Sequence, residues 1–158
     1  CPFQPELALG AVSETGEVTF DRFSSALASV DDAAVEAERQ HQLAEIARRR
    51  ELYRSVRPQA KLGGRSVILT DDGIATGSTM IAAIQAVRSA RPREIIVAVP
   101  VGSPERVAEI ARHCDRMVCL REPHDFQAVG QAYRDFDQVS DERVVTVLQA
   151  ATVESATA

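Results

Sequence analysis

The chain has 158 residues, of which 45% are hydrophobic and only 4% aromatic, and it carries a net charge of −5. That length suits one domain with a single, mainly aliphatic core, and the negative charge argues against a general nucleic-acid binder, which needs a cationic surface to displace counterions. No run approaches the roughly 20 apolar residues of a membrane span, and the opening Cys1-Pro2-Phe3-Gln4-Pro5-Glu6 lacks the basic and apolar regions of a signal peptide, so a cytoplasmic protein with neither nucleic-acid nor membrane partners is expected.

In chain order, Glu6–Val12 and Glu17–Phe20 predict a hairpin turning at Thr15-Gly16. Ser29 to about Arg57 predicts one long helix, with Ser29 as N-cap and Pro58 as its stop. Asp31 and Asp32 fall near its positive end and Arg48, Arg49, Arg50 and Arg54 near its negative end. Glu45 precedes Arg49 by four residues, a stabilising spacing. Its apolar stripe is thin, which suggests a surface helix or one packed on another subunit. The arginine run reads either as a solvated helix end or as a contribution to pyrophosphate binding.

From Ser66 the pattern becomes regular. Strands are predicted at 66–70, 94–101 and 116–121, and helices at 78–90 and 104–113, the latter capped by Ser103 with Pro104 in its first position. Continuous apolar strands alternating with helices predict a parallel sheet covered on both faces. Segment 126–139 is irregular and holds Phe126, Tyr133 and Phe136. Ser140 caps a final helix over 141–149, and residues 150–158 are expected to be a disordered tail. The domain is therefore expected to be 1–149. The cysteines, Cys1, Cys114 and Cys119, are too few and too scattered for a zinc site.

The most informative stretch is Val67-Ile68-Leu69-Thr70-Asp71-Asp72-Gly73-Ile74-Ala75-Thr76-Gly77-Ser78-Thr79. A buried strand ends in two carboxylates, and Gly73 permits a bend that turns both toward one group. Such a pair suits a hard cation or the vicinal hydroxyls of a sugar. The small-residue loop leaves backbone N–H groups open at a helix start, and three hydroxyls add donors, so it reads as a phosphate cradle. A Walker loop would need a lysine before its Ser or Thr, and Gly77 stands there. No G-x-G-x-x-G occurs. An aspartyl-phosphatase site would separate its two acids by one residue. A plain turn at 71–73 would leave the strand, the cradle and the helix around it unexplained.

Residues 67–79 resemble the 5-phosphoribosyl 1-diphosphate (PRPP) motif of the type I phosphoribosyltransferases, and a weaker resemblance runs over about residues 60–145. Pro5–Val12 and Tyr133-Arg134-Asp135-Phe136 resemble stretches of uncharacterised bacterial members. The resemblance implies the family's α/β fold, a parallel sheet flanked by helices, here with an N-terminal hairpin and a long helix. It implies that Asp71 and Asp72 bind the ribose hydroxyls, directly or through Mg²⁺, and that Gly73, Ala75, Thr76, Gly77, Ser78 and Thr79 hold the ligand and its 5-phosphate. The implied reaction is Mg²⁺-dependent transfer of phosphoribose from PRPP to a nucleobase or related amine, with release of pyrophosphate, in nucleotide metabolism and in a homodimer.

Segment 124–136 resembles the hood of the purine enzymes, in which Phe126 with Val129-Gly130 would face the base. Phe126 reads equally well as a stacking partner and as a core aromatic anchoring a loop. His124 is an acid–base candidate or an exposed loop residue. Ala75 stands where the hypoxanthine–guanine enzymes have an acid, so the adenine and orotate enzymes are the better match. The family's strand, pyrophosphate-binding loop and further strand would precede residue 1, so either the sequence is an internal fragment or half of the PRPP site is missing. A non-catalytic PRPP- or nucleotide-binding regulator is therefore the alternative reading.

Overall fold

The computed structural model describes residues 10–13, 16, 18–20 and 31–155. Strand β1 (Gly10–Val12) pairs antiparallel with β2 (Val18–Phe20), Val12 lying opposite Val18. Gly16 carries the turn with φ of 85° and donates its N–H to the Ser13 carbonyl at 3.0 Å. The expected hairpin is thus present. Its predicted residues 6–9, 14, 15 and 17 lie outside the described residues.

Helix α1 spans Asp32–Val56. Its N-cap is Asp31, whose carboxylate accepts from the Ala33 amide at 3.4 Å. This corrects the expectation of Ser29, which lies outside the described residues; aspartate serves the same purpose and adds a charge complementary to the helix end. Arg57, extended at φ of −135° and ψ of 109°, ends the helix as a residue before proline should. Glu45 pairs with Arg49 (2.8 Å), as its spacing predicts, and also with Arg48 (2.7 Å). No α1 residue is fully buried. The helix packs against α4 (Asp141–Ser155) rather than on the main sheet. Asp141 joins the two, accepting from Tyr53 Oη and Arg48 Nη2, each at 2.5 Å. Helix α4 runs beyond the expected boundary at 149, through Ala150 and Ala151, residues of high helix propensity.

The main sheet is parallel with order β3–β4–β5: Ser66–Thr70, Glu94–Val101 and Arg116–Arg121. The connections are α2 (Ser78–Ser89) and α3 (Pro104–Ala111). Strand β4 alternates strictly, burying Ile95, Val97, Val99 and Val101 at 3% exposure or less. Ile95, Val97 and Val99 meet Met80 and Ile84 of α2 and Ile110 of α3 in one aliphatic core. The opposite face differs from the expectation of cover on both sides. Ile68 is 62% and Leu120 76% exposed there. Apolar runs read alike from sequence whether or not a second layer stands over them, and both described connecting helices pack on the same face. Among the described residues no helix is long and apolar enough to cross a membrane.

Candidate phosphate and sugar site

Strand β3 delivers its carboxyl end into the acidic turn. Thr70 still pairs with Ala98, and the chain returns to the sheet at Ile74, whose N–H donates to the Val101 carbonyl at 2.9 Å. Asp71, Asp72 and Gly73 therefore project from the sheet edge between two fixed points. The Asp71 carboxylate accepts from the Asp72 amide at 3.0 Å. Partial withdrawal from water raises the Asp71 pKa above its ordinary value, and the neighbouring Asp72 charge acts in the same direction.

Gly73 is required here by space rather than by backbone sign. A Cβ at this position would lie 2.8 Å from Val129 Cγ1 and 2.9 Å from Val101 Cγ1. Gly77 does need its freedom: it adopts φ of 83° as the N-cap of α2. It has no side chain with which to cap, so the first-turn N–H groups beyond that of Ser78 are left for another acceptor. Thr76 Oγ1 accepts from the Ser78 amide at 3.4 Å, and Ser78 itself is 2% exposed.

A cavity of about 160 Å³ is lined by residues 71–77 with Thr79, Met80 and Val129. It brings together every site candidate of the motif except Ser78, which sits beneath the loop. Phe126 does not line it. That side chain borders a second cavity of about 190 Å³, with Val101, Arg121, Pro123, Asp125, Gln131 and Ala132. The two cavities share no lining residue, but Val101 of the second abuts Gly73 of the first. His124 is exposed and lines neither. Among the described residues no group of three or more His, Cys, Asp or Glu could hold a metal ion. Asp71 and Asp72 are the residues of this cavity that could hold a divalent cation, which would then take its other ligands from outside the protein.

One contact had no signal in the sequence. Tyr133 Oη donates to the Asp72 backbone carbonyl at 2.5 Å. The two residues are 61 positions apart, and nothing in composition or spacing links them.

The acidic turn and cradle are matched by a family model, phosphoribosyl transferase domain, over residues 8–136. The chain belongs to this family. Its parallel α/β fold resembles the crystal structure of TT1426 from Thermus thermophilus, with a TM-score of 0.69 and 44% identity over 94% of this chain and 70% of that one. Two proteins of Mycobacterium tuberculosis, from strains CDC 1551 and H37Rv, are each 43% identical over 150 residues, 95% of this chain. Both are provisionally named phosphoribosyl transferases. The chain spans about a third of the length of these curated relatives, 34%.

Proposed function

We propose that this domain binds PRPP and transfers its phosphoribosyl group to a nitrogen nucleophile, releasing pyrophosphate. The observation that carries the reading is the single cavity in which two carboxylates face a capless helix start walled by small residues. Asp71 and Asp72 accept hydrogen bonds from the ribose 2- and 3-hydroxyls. The amides and hydroxyls of residues 75–79 hold the 5-phosphate at the positive end of α2. The sugar is thereby fixed at both ends, with C1′ left toward the open side.

Transfer breaks the C1′–O bond, whose electron pair leaves with pyrophosphate. A nitrogen lone pair forms the new C1′–N bond, and the acceptor proton is lost to solvent or to the leaving group. Positioning supplies much of the rate in such a site. The acid pair adds negative charge beside a ribose that becomes oxocarbenium-like. Mg²⁺, when bound, supplies neutralisation of the pyrophosphate charge. On this reading the acceptor stacks on Phe126 in the second cavity, which Arg121 and Gln131 also line.

A second reading is binding without turnover, favoured by a cavity lining that holds no arginine or lysine to meet pyrophosphate. Release of labelled pyrophosphate from PRPP, measured across a panel of nucleobases and amines, separates the two. Base-dependent release supports transfer. PRPP binding with no release for any acceptor would leave a ligand-binding regulator.

A further inference from the structure

Segment 129–136 meets the acidic turn at two points of different chemistry. One is apolar: Val129 presses on the face of Gly73 where a side chain would otherwise stand. The other is polar: the Tyr133 hydroxyl donates to the Asp72 carbonyl at 2.5 Å. The phenol is itself supported. Its ring meets that of Phe136 at a centroid separation of 5.2 Å, the planes tilted by 33°. Phe136 approaches because Gly130 makes room, since a Cβ there would lie 3.1 Å from Phe136 Cδ1.

We infer that Tyr133 is a positioning residue for the sugar subsite: its hydroxyl fixes the peptide plane after Asp72 and closes segment 129–136 over the acidic turn. The inference rests on the proposed phosphoribosyl site. The backbone between Asp71 and Gly73 sets where both carboxylates aim, and the carbonyl of Asp72 is held from outside that turn only by this hydroxyl among the described residues. The cradle at 75–79 lies beyond Ile74, which the sheet anchors independently. Loss of the tyrosine hydroxyl should therefore disturb sugar recognition and spare phosphate recognition.

The test is Tyr133→Phe, which keeps the ring and removes the donor. In the ligand-free protein, amide hydrogen exchange over 126–132 and 72–73 should quicken by about fivefold, the usual worth of one such bond, while α2 and β4 amides keep their rates. Calorimetry should show affinity for ribose 5-phosphate falling by about the same factor, with affinity for inorganic phosphate unchanged. Unchanged exchange in segment 126–132 would overturn the inference. So would an unchanged affinity for ribose 5-phosphate, or equal losses for both ligands, which would mark a general structural role. If the unsubstituted protein binds neither ligand, the phosphoribosyl reading fails, and Tyr133 loses its role in sugar recognition with it.

Discussion

Val129 rests directly on Gly73, so closely that a Cβ at position 73 would lie 2.8 Å from Val129 Cγ1. The same Cβ would lie 2.9 Å from Val101 Cγ1 in the core strand β4. Both neighbours are short branched side chains with little room to move. Gly73 is not among the residues of positive φ, so alanine is excluded by crowding alone. Gly73→Ala should cost about 1–3 kcal/mol in a urea titration, the usual range for overpacking. Adding Val129→Ala should return part of that loss. A double variant no more stable than the single one would place the strain elsewhere.

Gly77 fails for the opposite reason. With φ of 83°, it holds a conformation that costs an ordinary L-residue about 1–2 kcal/mol. A Cβ there would lie 3.3 Å from Ile110 Cδ1, a milder crowding than at Gly73. Gly77→Ala should lower the urea midpoint accordingly and weaken inorganic phosphate binding, because the loop amides move with it. Gly77→Asn should recover some stability, since asparagine tolerates this region.

Asp71 gives a pH-dependent prediction. Its folded pKa lies above the unfolded value, chiefly through withdrawal from water. The folded state therefore favours the protonated form, and stability is lost as pH rises from about 3.9 through the folded pKa. Asp71→Asn removes that loss. Its melting temperature should exceed that of the unsubstituted protein at pH 7, and the difference should vanish below about pH 4. On the proposed reading, ribose 5-phosphate affinity should fall in the same variant. Equal melting temperatures at pH 7 would contradict this.

Asp141 has the opposite sign. Hydrogen bonds from Tyr53 and then Arg48 hold its pKa below the ordinary value. Its contribution is present above the unfolded pKa of about 3.9 and lost as pH falls through the folded one. The contact between α1 and α4 should loosen in that acidic window, seen as faster amide exchange in α4. Asp141→Asn should show the faster exchange already at pH 7. Identical α4 exchange in the two proteins would remove Asp141 as the link.

What the sequence made legible was local. Strands 66–70, 94–101 and 116–121 stand where apolar runs placed them, and the acidic turn and cradle follow β3 because their order is continuous in the chain. What escaped it was non-local or degenerate. Tyr133 reaches Asp72 across 61 residues. Ser29 and Asp31 are equally good caps by type, and only the backbone chose between them. Ile68 and Leu120 read as buried because an apolar strand does not record which of its faces is covered. Phe126 fell in the expected segment but borders the second cavity rather than the cradle. Gly73 was legible as a turn residue, yet the reason for it, Val129 packed on its face, needed the fold.

The central claim, that residues 71–79 bind a phosphoribosyl group, is tested most directly by mapping amide chemical shifts in ¹⁵N-labelled protein during titration with PRPP and Mg²⁺. The account predicts saturable shifts largest at Ala75, Thr76, Gly77, Ser78 and Thr79, with Asp71 and Asp72 next, and loss of the latter pair's response in Asp72→Ala. Shifts that are absent, or that fall mainly outside this turn and cradle, would contradict it.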